Sequence, residues 1–236
     1  MTIALVPVKR LADSKSRLLD ALPDRLRQAL TLAMLEDLIE ALRQTHGIDR
    51  IAVTTPDPAV AARAEAAGAE ALMRPEPGLN DALEDAITRL VPDGAHLAPE
   101  GRADLLIVLG DVAGAAPADF ERLLSAAAAS PEPGVWLAPS SDGGSSAVLQ
   151  HPAGVLPCCF GRDSAKRHRD EAGRRGVRFC ELPLASLAID LDQPEDLEAF
   201  RRTSGGGRRT RALLESGLPE TEDAAYAGPT PKGDDA

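Results

Sequence analysis

Short apolar runs alternate with helix-length segments along most of the chain, and this alternation constrains the fold more than any other feature. Thr2–Val8 (TIALVPV) predicts a buried strand. After a polar loop, Asp24–His46 carries Leu26, Leu30, Met34, Leu38 and Leu42 at four-residue spacing, with Leu35 and Ile39 beside them, which makes one broad apolar stripe on a long helix. Ile48–Thr54 predicts a second strand, Pro56-Asp57-Pro58 starts a helix that runs through Ala67 and stops at Gly68, and Ala69–Met73 predicts a short third strand. Gly78–Val91 predicts a helix and Pro92–Arg102 a surface loop. Asp104–Leu109 (DLLIVL) is the most apolar run, and a strand covered on both faces reads this way, so it belongs at the centre of the sheet. Pro117–Ala129 is helical, Gly134–Ala138 and Ser145–Gln150 are strands, Asp163–Arg175 is helical, Val177–Leu182 is a strand, and Pro194–Arg202 is the closing helix. The order predicts an α/β fold, a mostly parallel sheet flanked by helices, with ligands beyond the carboxyl ends of the strands. From Thr203 the chain turns Gly- and Arg-rich, then Pro- and acid-rich. This divides it into a domain over 1–202 and a disordered tail over 203–236, in which 212–216 (ALLES) could form a helical turn.

Charge narrows the function classes. Across 236 residues, 26 Lys and Arg face 37 Asp and Glu, a net −11, which argues against a nucleic-acid partner needing a broad basic face. A small anionic substrate is compatible, provided a local cationic pocket or a metal ion offsets the repulsion. No apolar run approaches the ~18 residues of a membrane span, and Met1–Arg10 lacks the order of a signal peptide. Cys158, Cys159 and Cys180 form no CxxC pair, so the cytoplasm is the expected compartment.

The residues that follow the strands carry the chemistry. The first strand runs into Lys9-Arg10-Leu11-Ala12-Asp13-Ser14-Lys15-Ser16-Arg17-Leu18, with four cations in nine positions, a natural phosphate wrap. A solvated basic loop explains that composition equally well. Gly110-Asp111 follows the central strand, where a carboxylate could hold a hard divalent cation or could close a turn on its own backbone. Asp190 and Asp192 would share one face of a strand, suiting a shared metal, while Pro194 and the acids around it also make an ordinary helix start. Ser140-Ser141-Asp142-Gly143-Gly144-Ser145-Ser146 is either a donor-rich loop or a plain hairpin. Gly161-Arg162-Asp163-Ser164 precedes a helix, with Asp163 or Ser164 as the expected cap. His168 stands among Lys166, Arg167 and Arg169 and reads as part of a solvated helix face, and Trp136 reads as core.

Taken in order, VPVK, SKSRL, MLEDLIEAL, VTTPDP, GLNDAL, LGD, APSSDGGSSAVL, FGRDSAKRH and DLDQPEDL resemble the 2-phospho-L-lactate guanylyltransferase family of coenzyme F420 biosynthesis. Bacterial members of that family act on phosphoenolpyruvate or 3-phospho-D-glycerate. The resemblance covers Thr2 to about Phe200 and implies a nucleotide-diphospho-sugar transferase-like fold. It implies that GTP condenses with a phosphorylated three-carbon acid, releasing pyrophosphate and passing the product to a downstream transferase. Pro7, Lys9, Lys15, Ser16 and Arg17 match the family's nucleotide loop. Lys15 and Arg17 would contact the triphosphate and, with Asp111, carry catalysis. Asp111, Asp190 and Asp192 match the acidic positions for Mg²⁺ or Mn²⁺. Ser146, Gly161 and Ser164 fall where the family holds the acid, and a homodimer is compatible. Two segments depart from the pattern. Val112-Ala113-Gly114-Ala115-Ala116 replaces a Leu-Pro continuation, and Ser145-Ser146-Ala147-Val148 replaces Gly-Thr-Asn-Ala, so the amide missing at Ala147 predicts one or two fewer bonds to substrate. The alternatives are a nucleotidyltransferase of this fold with a molybdopterin or sugar-phosphate acceptor, and a non-catalytic GTP-binding homologue.

Overall fold

A computed structural model describes residues 1–15, 18, 22–75, 78–91, 103–203 and 205–216. The strands are β1 (Thr2–Pro7), β2 (Arg50–Thr55), β3 (Glu70–Met73), β4 (Asp104–Val108), β5 (Gly134–Pro139), β6 (Ser145–His151) and β7 (Arg178–Glu181). They form one sheet in the order β3-β2-β1-β4-β6-β5-β7. All neighbours are parallel except β6, which runs antiparallel to both β4 and β5. The sheet is mostly parallel, as read from the sequence, and the one reversed strand makes it mixed. The helices are α1 (Asp24–Gln44), α2 (Pro58–Ala66), α3 (Leu79–Leu90), α4 (Pro117–Ala128), α5 (Ser164–Arg175), α6 (Pro194–Arg202) and α7 (Arg208–Ser216). Pro92–Arg102 lies outside the described residues. Among those described, no helix is long and apolar enough to cross a membrane.

Strand alternation builds three layers. Ala4, Val6, Leu106 and Val108 face Leu35, Leu38 and Leu42 of α1, Val60 of α2, and Phe120 and Leu123 of α4. Their alternates Ile3, Leu5, Leu105 and Ile107 face Leu83, Ala86 and Leu90 of α3 and Ala165 and Ala172 of α5. Both faces of β1 and β4 are covered, which is why these strands read as continuous apolar runs.

The expected tail behaves differently from its composition. Helix α7 docks on α1, where the buried Asp37 carboxylate accepts from the Arg209 and Thr210 amides at 3.0 and 2.8 Å and from the Thr210 hydroxyl at 2.8 Å. Asp37 thus caps α7 from another helix, satisfying donors that the short helix cannot satisfy itself. The Arg209 guanidinium pairs with Glu36 and Glu40 as well, and Arg211 stacks over the Phe200 ring, 4.2 Å from its centroid. The approach needs glycine, because a Cβ on Gly206 would lie 2.3 Å from the Gly114 carbonyl oxygen. Leu213 joins Leu18, Leu30, Met34, Ala113, Leu191 and Phe200 in a third apolar cluster. The ordered body therefore runs past 202 to Ser216, and residues 217–236 lie outside the description.

Substituting Asp37→Ala should lower the unfolding free energy by about 2–3 kcal/mol, since it strips partners from several buried donors at once. A denaturant titration measures this, and an unchanged midpoint would contradict the docking of α7.

Candidate active site

An open cleft of about 1160 Å³ lies across the carboxyl ends of β1, β2 and β4. Because β6 is reversed, its first residues reach the same end of the sheet. Pro7, Lys9, Lys15 and Asp111 line the cleft. So do Ser146, Gly161, Ser164, Asp190 and Asp192. Ser16 and Arg17 lie outside the described residues. The neighbouring strand ends approach closely at Gly110, where a Cβ would sit 2.9 Å from the Pro7 carbonyl oxygen.

The basic loop is pinned from below. The Arg27 guanidinium of α1, 4% exposed, donates through Nη1 to the Ser14 carbonyl at 2.9 Å. The Ser14 hydroxyl donates to the Leu11 carbonyl at 2.8 Å and accepts from Thr31 at 3.1 Å. Lys15 then takes a left-handed backbone, φ 55°, unusual for a side-chain-bearing residue. Its buried ammonium lies 3.3 Å from Asp192 Oδ1 and 3.7 Å from Asp111 Oδ2. Sequence reasoning missed Arg27 and Thr31, although a charged residue beside the apolar stripe of a long helix was a usable signal.

The acids meet through turns, not through a strand. Asp190 makes an isolated antiparallel bridge to Val112, and the Asp192 amide donates to the Asp190 carbonyl at 3.1 Å. The expected strand over 190–192 gives way to a turn, and the two chain segments carrying the acids are stitched by the Leu191 amide donating to the Asp111 carbonyl at 3.2 Å. Burial, then the Asp111, Asp142 and Asp192 carboxylates, push the Asp190 carboxyl up to about 6. Asp111 Oδ1 is buried without a hydrogen-bond partner. Among the described residues, no group of three or more His, Cys, Asp and Glu side chains stands close enough to hold a metal by itself. The Lys15 ammonium instead bridges Asp111 and Asp192.

The opposite wall comes from β6 and α5. The register slips between Ala138 and Pro139, so β6 gains an extra residue at Ser145–Ser146, a bulge of the kind that re-aims side chains. The Ser146 hydroxyl is buried and unpartnered. Gly161 takes φ 119°. The loop before α5 is clamped by Asn80, whose amide oxygen accepts from the Phe160 amide at 2.9 Å and whose amide nitrogen donates to the Phe160 carbonyl at 3.1 Å. The expected cap does not form. Asp163 precedes α5 in a left-handed conformation without a side-chain bond to it, and the Ser164 hydroxyl donates to Ser145 at 3.0 Å. Asp163 and Ser164 at this uncapped helix start line the cleft, while the Ala165 amide donates to the Gly143 carbonyl at 3.4 Å. Ala147 is fully buried among the apolar residues between sheet and α4, so its missing amide removes no bond from the cleft. His168 is 1% exposed, not solvated. Ala165, His168 and Ala172 share one helix face, and that spacing was its signal.

Residues 2–216 match the family described as "Guanylyl transferase CofC like". The chain belongs to this guanylyl transferase family. A phosphoenolpyruvate guanylyltransferase of Sphaerobacter thermophilus is 38% identical over 198 residues, covering 84% of this chain and 91% of that protein. One from Rubrobacter xylanophilus is 40% identical over 210 residues, covering 88% and 97%. A solved chain from Desulfovibrio desulfuricans, assigned to the nucleotide-diphospho-sugar transferases, superposes with a TM-score of 0.69 at 17% identity, covering 95% of this chain and 96% of its own. A 4-diphosphocytidyl-2C-methyl-D-erythritol synthase gives 0.59 at 15% identity, covering 85% and 96%. At these identities the last two establish the fold alone, the one the family resemblance implied.

The Asp190 carboxyl binds its proton more tightly in the folded chain than in the unfolded one, so its ionisation opposes folding as pH rises through about 4 to 6. Asp190→Asn should therefore raise the melting temperature at pH 7 and have little effect near pH 4. Thermal scans across that range check it, and an equal shift at both pH values would show that Asp190 ionises without penalty.

Proposed function

We propose that this cleft joins the guanosine monophosphate unit of GTP to the phosphate of a phosphorylated three-carbon acid and releases pyrophosphate. Phosphoenolpyruvate is the first candidate acceptor, because the relatives that match most of the chain carry that name. 3-Phospho-D-glycerate and 2-phospho-L-lactate are the others. The reading places the chain in coenzyme F420 biosynthesis, with a downstream transferase consuming the product. The observation that carries it is the opposition of two walls in a guanylyl transferase family member: Lys15 among acids on one side, an unpartnered Ser146 hydroxyl and a helix start without a side-chain cap on the other.

In the reaction, an oxygen of the acid's phosphate attacks the α-phosphorus. The bond from that phosphorus to the bridging oxygen of the β-phosphate breaks, and pyrophosphate leaves with the electron pair. Little covalent chemistry falls to the protein, so orientation and charge neutralisation dominate. The triphosphate competes with Asp111 and Asp192 for the Lys15 ammonium, while Lys9, exposed on the rim, adds a second cation. Ser146, Gly161 and Ser164 then orient the acid, with the first amides of α5 facing its charge. Ser16 and Arg17 complete the nucleotide loop in this reading.

The acidic wall suits a hard dication. The orphaned Asp111 Oδ1 and the neighbouring Asp190 carboxyl are the donor type that Mg²⁺ or Mn²⁺ prefers, and Mg²⁺ commonly takes one or two carboxylates with phosphate oxygens completing its shell. Asp111 and Asp190 would hold it, with Asp192 keeping its tie to Lys15. When bound, the ion neutralises charge on the triphosphate and on the leaving pyrophosphate.

Purified protein given GTP, Mg²⁺ and each of the three acids should release pyrophosphate and yield the guanylylated acid by mass spectrometry with at least one of them. Lys15→Met should cut kcat/KM by about 10²–10³, the usual cost of losing one aligned charge-stabilising group. Nucleotide binding with no turnover on any acid would instead indicate a non-catalytic homologue.

A further inference from the structure

Three segments of the acceptor wall meet at one side chain that the transfer step above does not use. His168 Nδ1 lies 2.9 Å from the Ser164 carbonyl oxygen and 3.2 Å from Ser145 Oγ. Its Nε2 lies 3.2 Å from the Cys159 amide nitrogen. A carbonyl only accepts and a backbone N–H only donates, so the proton sits on Nδ1 and the Nε2 lone pair is taken by Cys159. The ring also meets Phe160 edge-on, with centroids 5.0 Å apart. Burial lowers the imidazole to about 4, which keeps the ring neutral. With Nε2 occupied and no exposure to solvent, the ring has no lone pair with which to take a proton from substrate, and a general-base role is ruled out.

The consequence falls on Ser145. Its oxygen accepts from the Ser164 hydroxyl and shares, as the longer arm, the Nδ1 proton that His168 also gives to the Ser164 carbonyl, so among the described residues its own proton has no acceptor. Ser145 lines the cleft next to Ser146, which is 2% exposed and unpartnered. We propose that His168 is a positioning residue for the acceptor half of the cleft, fixing Ser145, Ser164 and the Cys159 backbone so that the Ser145 hydroxyl joins Ser146 as a donor to an oxygen of the bound acid. The proposal rests on the transfer reaction above and adds Ser145 and His168 to the groups that select its acceptor.

The test varies the acid at saturating GTP, and then GTP at saturating acid, in the wild type, His168→Phe, His168→Asn, Ser145→Ala and the His168→Phe/Ser145→Ala double variant. His168→Phe should raise the KM for the acid about tenfold, one hydrogen bond's worth, and leave the KM for GTP within about twofold. His168→Asn, which can still donate near the Nδ1 position, should recover most of that loss although it also costs melting temperature. Ser145→Ala should reproduce the effect, and the double variant should add nothing further, because His168 acts on the acid through the Ser145 hydroxyl. In parallel, ¹⁵N-histidine NMR at pH 7 should show His168, assigned by its loss in His168→Phe, with Nδ1 protonated and Nε2 bare. Equal rises in both KM values, an additive double variant, no rescue by Asn, or a proton on Nε2 would each overturn the proposal. A wild type that turns over none of the acids would instead overturn the reading of the reaction, and the NMR tautomer would still decide the arrangement around His168.

Discussion

In a guanylyl transferase family chain that itself carries −11, the buried lysine on the wall of the cleft is already spoken for. The Lys15 ammonium sits between Asp111 and Asp192, on a backbone bent into an unfavourable conformation and braced by Arg27. The carboxylates hold a positive charge where bulk electrostatics would exclude negative ligands. They also keep it buried in the wall of the cleft. The acids thereby orient the lysine.

The sheet places these opposing parts within reach of each other. Four residue sets come from the ends of β1, β4 and β6 and the start of α5, elements distant in sequence and adjacent only because β4 is central. Reversing β6 matters most. In an all-parallel sheet its first residues would sit at the far end, whereas the antiparallel run brings Ser145 and Ser146 to the edge where Pro7, Gly110 and Asp111 emerge. One strand direction thus decides which chemistry faces the cations.

Most of the element order was legible in the sequence, because burial on both faces leaves an unbroken apolar run in β1 and β4 and helix faces leave their period. The loop residues after the strands were legible only as candidates, because a solvated loop, a turn or a helix start explains the same cations and carboxylates. What escaped depends on contacts between distant segments. His168 sits among cations in sequence, yet its ring alone points inward, so local charge misled. The acids at 190 and 192 alternate as in a strand, yet only one bridge forms and the chain turns. Ala147 stands in the middle of the cleft's own motif, yet its side chain belongs to the sheet's other face. The docking of α7 was invisible, since its cap, Asp37, lies 172 residues from Arg209.

That last contact has a temporal side. Leu213 packs in the same cluster as Ala113 and Leu191, the residues beneath the two acid-bearing turns. A chain synthesised from its amino terminus acquires β1, the basic loop and the central strand early. The floor under its carboxylates is completed by Leu213 of α7, the last of its buried members in chain order. The apolar support of the acid-bearing turns therefore draws on residues from Leu18 to Leu213, and its final piece is the last to be synthesised.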